Sequence, residues 1–266
     1  MLQFLRIFMI IVKYKFLARI EYPGSYAAAI VAQWLSYGTE MFMLFLMVWN
    51  FGALAGWLPA EIVFMYAAWL LSYALGASFT FNVNMAFRRM AIEGTMDEAL
   101  VRPMPAFVYL VATHYNLGYI SHITVCIAAL GWSIMQLGLS WTVGHWVWLI
   151  VMIISGAVIH GCMMLLCGMP SMTTRSRSPT EMLYWEFWPF MRYPFTIFPR
   201  QLQFVFATVL PYAFISFYPV QVLLGIEDGL FARTAMWLSP LVALLLIGVT
   251  AFCWIKISKF YESAGT

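Results

Sequence analysis

Glu40 stands in the middle of an apolar run, Tyr26 to Phe51, and an acid in that setting needs a reason. A charge at the centre of a bilayer costs about 2.5–3.5 kcal/mol on insertion scales. The carboxyl is therefore expected to face the protein interior or a polar cavity. There it either lines a substrate path or couples an ion, or it is a protonated or hydrogen-bonded structural group. A second polar set follows, with Asn82 and Asn84 at the end of the next apolar run, then His114, Asn116, His122 and His160. His114 and His122 fall on one helix face. Side chains of these types between membrane helices commonly make interhelical hydrogen bonds. Glu40, Asn82, Asn84 and His114 are also the candidate lining of a translocation path.

Other chemistries lack their parts. A Ser/His hydrolase would rest on Ser78, in Gly76-Ala77-Ser78-Phe79, and on His160, but the glycine expected after the serine is missing. There is no HExxH and no pair of carboxylates of hydrolase type. Cys126, Cys162, Cys167 and Cys253 lie in apolar runs without a CxxC, so they read as buried thiols rather than metal ligands. No GxxxxGK[ST] phosphate loop occurs, nor any Gly-Lys dipeptide. If transport here is driven by ATP, the ATPase is another chain, and this one is no enzyme and holds no cofactor.

The most informative polar segment runs from Arg88-Arg89 through Glu93-Gly94-Thr95-Met96-Asp97-Glu98-Ala99-Leu100-Val101 to Arg102-Pro103. Thr95 or Gly94 can open a short helix, with Glu98 at the acidic position of a capping box. Asp97 and Glu98 suit the positive end of its dipole, and Pro103 stops it. Such a helix is either a well-capped connector or a docking element for a cytoplasmic partner.

The elements that must position these groups are set by composition. Only 9% of the 266 residues are charged, against roughly 25% in an ordinary soluble domain, and 64% are hydrophobic. That excludes a cytosolic enzyme, a nucleic-acid-binding domain and a disordered chain, and leaves a polytopic membrane protein. Six runs are long enough to span as helices: Tyr26 to Phe51, Ile62 to Phe81, Phe107 to Leu137, Val147 to Cys167, Leu202 to Leu224 and Thr234 to Ile255. With the N-terminus inside, Arg6, Lys13, Lys15, Arg19, Arg88, Arg89, Arg102, Arg175, Arg177, Arg192, Arg200, Lys256 and Lys259 fall on the cytoplasmic side, and only Arg233 falls outside. The positive-inside rule predicts that bias. The net charge of +3 then reflects topology and calls for no nucleic-acid partner.

Residues Met1 to Tyr22 mix Arg6, Lys13, Lys15 and Arg19 among apolar residues. A cleavable signal peptide orders its charges before an uninterrupted core, so the stretch reads as an amphipathic helix at the membrane surface. The expected fold is an all-α integral membrane protein with six transmembrane helices and both termini cytoplasmic. Residues 1–24 form the interfacial helix, and 25–266 form the transmembrane domain with a cytoplasmic loop at 86–105. Residues Ser171 to Arg200, rich in Trp, Phe and Pro, read as a cytoplasmic amphipathic segment. The alternative makes Glu181 to Phe195 the fifth span and 197–224 a re-entrant pair on the outer side, at the expense of burying Glu181 and Glu186 and exporting Arg192 and Arg200.

Three segments together resemble the membrane subunits of ABC-2-type transporters. Glu93-Gly-Thr-Met-Asp97-Glu-Ala-Leu100-Val-Arg102-Pro103 is similar to the G-(T/S)-hydrophobic-D-x-x-L-hydrophobic-R-P signature of one permease branch. Arg192-Tyr-Pro194-Phe-Thr-Ile-Phe-Pro199, with Leu210-Pro211 through Pro219, resembles its Y-P-x-x-I-aromatic-P element and the proline-rich run after it. The tail Phe260-Tyr261-Glu262-Ser263-Ala264-Gly265 is similar to its Y-x-S-x-G ending. The resemblance implies a permease that pairs with an identical or homologous permease, over two copies of a separate ABC ATPase that bind ATP and Mg. It implies export through the permease interface in a bacterial-type inner membrane. It makes Glu93, Gly94, Thr95, Asp97, Glu98, Leu100, Arg102 and Pro103 the ATPase-coupling residues, and Arg192, Pro194 and Pro199 part of an element that moves between states. The reading that competes with it is an ion-coupled secondary transporter or channel using Glu40.

Overall fold

The structure is a computed structural model that describes residues 2–174, 176–226 and 230–261. Arg175 and the last residues of the tail motif, 262–265, lie outside the described residues.

Helix α1 (Leu2–Ile20) ends at Glu21-Tyr22, and Pro23 opens α2 (Pro23–Phe51). Proline suits a first turn because its fixed φ is helical and its missing N–H has no helical partner there. Gly52, at φ 78°, lets the chain leave α2. A second proline opens α3 (Pro59–Glu93), where Glu61 reaches back to accept the Leu58 N–H at 2.8 Å. At 1.5 Å per residue α3 is about 52 Å long, so it exceeds a hydrocarbon core of about 30 Å by some 20 Å. It carries the spanning run and a projecting stalk in one rod.

After Gly94, left-handed at φ 69°, come the five-residue α4 (Met96–Leu100) and then α5 (Ala106–His114). A 3-10 turn at Leu117–Tyr119 leads into α6 (Ile120–Gln136). The third crossing, α5 with α6, is therefore broken at Tyr115-Asn116. Asn116 satisfies the freed backbone. Its N–H donates to the Ser78 carbonyl at 2.8 Å, and its Oδ1 accepts the Gly118 N–H at 2.9 Å. Irregular backbone enclosed between helices requires such partners.

Helix α7 (Val143–Gly168) packs closely along α3. Glycines set the approach. A Cβ at Gly76 would strike the Ala157 carbonyl, and one at Gly156 would lie 2.7 Å from Ser72 Oγ. On α3, Ile62 to Ala74 are buried in one unbroken run, so this helix is the axis of the bundle.

Beyond α7 the chain forms α8 (Ser171–Thr174), α9 (Pro179–Phe187), 3-10 turns at Trp188–Arg192 and Phe195–Ile197, and α10 (Arg200–Thr208). A further 3-10 turn at Pro211–Phe214, α11 (Phe217–Leu224) and α12 (Leu230–Lys259) complete it. Five stretches among the described residues are long and apolar enough to cross a membrane: α2, α3, Leu117–Gln136, Val143–Thr174 and Thr234–Lys259. The pair α10 and α11 passes the same test only together, and it is bent by 71°.

The course of the chain on either side of that bend corrects the expectation of a fifth span at Leu202 to Leu224. Of the expected cytoplasmic segment 171–200, only the part before Pro179 stays at the stalk end, where Met172 joins the cluster of Met90 and Met96. Thr180 Oγ1 donates to the Cys167 carbonyl, at the stalk end of α7, over 2.7 Å. From there Trp185 reaches Phe81, Trp188 reaches Tyr73 and Trp69, and Arg192 reaches Glu40. Phe195 then packs on Phe217, which touches Trp57 in the loop before α3. Residues 179–195 thus climb α3 from its stalk half to its Trp57 end and make the fifth crossing. The α10–α11 pair begins and ends at the Trp57 end, because α12 starts there with Trp237 against Trp148 of α7. It is a re-entrant hairpin.

Candidate functional site

Two places gather the polar chemistry. The first is the tip of the stalk. Met96 and Ala99 of α4 are fully buried in one cluster with Val83, Phe87 and Met90 of α3, Leu110 of α5, Leu165 of α7 and Met169 just after it. Burying an apolar side chain of that size contributes about 1.5–3 kcal/mol, so a five-residue helix too short to persist alone is held rigidly. The opposite side of α4 is open. Leu100 is 52% and Val101 79% exposed, an apolar pair presented between charges. Glu98 Oε1 accepts the Tyr109 hydroxyl at 2.7 Å and an Arg102 N–H at 2.8 Å. The Arg102 guanidinium lies 5.4 Å from the centre of the Tyr109 ring. These hydrogen bonds, Tyr109 first and then Arg102, hold the Glu98 carboxyl below its usual range, and Glu98 in turn raises the Arg102 guanidinium.

The expected capping box does not form. Thr95 is helical in φ and ψ and makes no side-chain cap, and Glu98 turns toward Arg102 and Tyr109 instead. A charge-assisted hydrogen bond with a cation outweighs one to a backbone N–H. Glu93 and Thr95 border a cavity of about 250 Å³ between the stalk and α5, with Arg89, Glu98, Tyr109 and His114. Gly94 ends α3, and Pro103 lies in the turn before α5.

The second place is the break in the fifth crossing. Glu40 Oε2 accepts the Tyr66 hydroxyl at 2.5 Å and lies 3.7 Å from Arg192 Nη1. Glu40 is the only charged residue of α2, and Arg192 reaches it from the 3-10 turn at the end of the fifth crossing. Four residues earlier Trp188 wedges between α3 and α7. Its ring lies 4.2 Å from Tyr73, 4.7 Å from Trp69 and 6.1 Å from His160. Pro189 and Pro194 keep this stretch from continuing α9.

The four residues expected along one path do not share one. Glu40 lies toward the Trp57 end. Asn82 donates to the His114 carbonyl at 3.0 Å, and His114 Nδ1 lies 3.0 Å from the Leu110 carbonyl, so this pair ties α3 to α5. Asn84 is buried against Gly168 on the α7 side. Two residues apart on a helix, Asn82 and Asn84 point to different faces. Ser78 donates to the Leu75 carbonyl at 2.7 Å, and His160 is enclosed by Trp69, Tyr73 and Trp188, so the two form no catalytic pair. Among the described residues no three His, Cys, Asp or Glu side chains converge as a metal site.

Sequence reasoning missed Arg192 and Tyr66 as the partners of Glu40. The signal was available, since an acid in a span asks for a nearby cation, and Arg192 was placed in the cytoplasm instead. The aromatic run 184–190 carries no motif in the sequence, and its role comes from packing, with Trp188 set against Trp69 and Tyr73 on the α3 axis.

A family model described as ABC-2 family transporter protein matches residues 34–265, which is most of the chain. No curated protein and no solved structure matches it significantly.

Proposed function

The chain belongs to the ABC-2 family of transporter proteins, and on that basis we propose that it is the permease subunit of an ATP-driven exporter. Membership makes it a multi-pass membrane protein that associates with an ABC ATPase. Beyond that, the reading is ours. Two copies of the permease, or this chain with a homologue, form the path. Two ATPase subunits carry ATP and Mg beneath them, and no bond chemistry occurs in this chain.

The observation that carries the reading is the tip of the stalk. The α4 segment projects beyond the spanning part of α3 on a buried Met96 anchor and exposes Leu100 and Val101. An apolar pair on a rigid, charged segment is what a partner groove takes up. ATP binding in the partner would favour one of two permease arrangements, and α4 would pass that preference on as part of a rigid rod. The broken fifth crossing, latched by Glu40 and Arg192, is the element suited to differ between them.

Orientation follows from the same rod. Arg6, Lys13, Lys15, Arg19, Arg88, Arg89, Arg102, Arg177, Lys256 and Lys259 belong to α1, the stalk and the elements around it, and this clustering supports a cytoplasmic orientation of that end under the positive-inside rule. The inner membrane of a bacterial-type cell is the setting this implies. Helix α1 would lie along that interface, since it exposes Met9, Ile10, Phe16 and Leu17 while turning Lys15 inward to the Thr113 and Tyr115 carbonyls. An ion-coupled carrier built on Glu40 is not favoured, because that carboxylate is engaged by Tyr66 and Arg192.

The test is affinity purification from native membranes in mild detergent with the co-purifying chains identified by mass spectrometry. An ATPase with a phosphate loop is expected in stoichiometric amount, and a second permease, if different, in the same fraction. Recovery of the permease alone, with an ATP analogue present, would contradict the proposal.

A further inference from the structure

A cavity of about 500 Å³ adjoins the second site through Tyr73 and lies between α2, α3 and the start of α6, with Arg19 of α1 among its lining residues. Its floor is Tyr73, Tyr119 and His122, each no more than 6% exposed. The Tyr73 and Tyr119 hydroxyls lie 3.2 Å apart, and the His122 ring sits tilted between Tyr119 and Tyr37, its centre 4.8 and 4.4 Å from theirs. Gln33 and Ala29, both exposed, stand on the α2 side toward the surface.

The charge of this lining is one-sided. Arg19 is the only charged residue in it, and no carboxylate pairs with it among the described residues. Arg19 gives one N–H to Asn116 Oδ1 at 2.8 Å, and the Tyr26 ring lies 5.8 Å from its guanidinium. A guanidinium has five N–H donors in a fixed fork that fits phosphate oxygens, so most remain for a ligand. The amide of Gln33 and the hydroxyl of Tyr37 make no hydrogen bond to a described residue.

The surroundings say what kind of anion this is. The outer surface of α1 beside Arg19 is apolar, with Phe16, Leu17 and Ile20 exposed. On α2, Trp34 is 45% exposed beside the cavity and donates to Thr124 Oγ1 of α6 at 2.9 Å. A tryptophan with one end apolar and one end hydrogen-bonded is typical of the level of lipid headgroups. We propose that this cavity binds the phosphate-bearing head of an amphiphile, with the phosphate on Arg19, head-group hydroxyls on Gln33 and Tyr37, and the acyl chains along the apolar surfaces of α1 and α2. The inference does not depend on the partner ATPase.

The test is native mass spectrometry of the purified protein, titrated with phosphatidylglycerol and with phosphatidylcholine of the same chains. One phosphatidylglycerol is expected to bind at least about tenfold more tightly than phosphatidylcholine, because both lipids offer Arg19 a phosphate but the choline ammonium sets a second positive charge beside the guanidinium and offsets that attraction. Arg19→Gln removes the preference. Lys13→Gln, a neighbouring cation that does not line the cavity, keeps it. Ala29→Leu fills the cavity with Arg19 intact and also removes it, and monodisperse gel filtration of each variant checks folding. Excess inorganic phosphate leaves the lipid in place. Equal affinity for the two lipids would overturn the proposal, as would equal losses in the Arg19 and Lys13 variants, wild-type binding by Ala29→Leu, or displacement by phosphate alone.

Discussion

Glu40 Oε2 lies 2.5 Å from the Tyr66 hydroxyl and 3.7 Å from Arg192 Nη1, so one carboxylate joins α2, α3 and the fifth crossing. Without it, α2 would touch the bundle chiefly through apolar contacts with α3 and α6, and Arg192 would keep a charge at membrane depth with no counter-charge. Arg192 is 22% exposed and Glu40 39%, so the pair is partly desolvated and neither worthless nor dominant.

A double-mutant cycle measures it. Glu40→Gln and Arg192→Gln should each lower the melting temperature in detergent, and the double variant should be less damaged than their sum. The expected coupling is about 1 kcal/mol. Tyr66→Phe should cost about 2 kcal/mol, the value of a hydrogen bond to a charged group. Strict additivity of Glu40→Gln and Arg192→Gln would mean that the two groups do not interact.

The α3–α7 contact predicts opposite results for one substitution at two glycines. Gly76→Ala drives a methyl group into the Ala157 backbone carbonyl, which cannot rotate away, and should destabilise by about 1–3 kcal/mol. Gly131→Ala on α6 meets nothing within 4 Å and should be neutral or stabilise by about 0.5–1 kcal/mol. Thermal unfolding of the two variants side by side decides it. Equal effects would mean that α3 and α7 are not in contact at Gly76.

The Glu98 clasp has a pH signature. Its carboxyl is held below the usual 4.5, mainly by the Tyr109 hydroxyl and then by Arg102. A depressed acid stabilises the fold above its unfolded pKa, and that contribution fades as pH falls through the folded pKa. The α4 segment should therefore hold its structure throughout the neutral range and loosen only below 4.5. Carbon-13 carboxyl NMR of labelled glutamate should give Glu98 a midpoint under 4.5, and Tyr109→Phe should raise it. An unchanged midpoint in that variant would place the Tyr109 hydroxyl elsewhere.

Coupling should separate from insertion. Asp97→Ala, Arg102→Ala and Leu100→Ser should each reduce permease-stimulated ATPase activity several-fold in proteoliposomes while membrane insertion and yield stay normal. Met96→Ser should lose both, because Met96 is the buried anchor of α4. Loss of insertion in all four would make the segment a structural connector only.

The long apolar helices were legible because length and hydropathy alone define them. α2, α7 and α12 lie within a few residues of the expected runs. The fifth crossing was not legible as first choice, for two physical reasons. Its residues include Glu181, Glu186, Arg192, Pro189 and Pro194, and a window sum has no means to credit the ion pairs from Glu181 to Arg177 and from Arg192 to Glu40. The stretch 202–224 is apolar enough to imitate a span, yet Pro211 and Ser216 fall where it folds back. At the stalk tip, the short helix was readable from its residue types, and α4 forms at Met96–Leu100 within the expected segment. The capping box was not, because Arg102 and Tyr109 compete for Glu98 across a turn that sequence spacing does not reveal.

The central claim is that α4 meets an ATPase. The most direct measurement places a photo-crosslinking amino acid at Val101, and in a matched variant at Val143, each of which replaces a valine that is 79% exposed, at opposite ends of the bundle. Irradiation of native membranes should join the Val101 variant to a chain carrying a phosphate loop and leave the Val143 variant without that product. The same ATPase product from both positions, or none from Val101 in correctly inserted protein, would contradict the account.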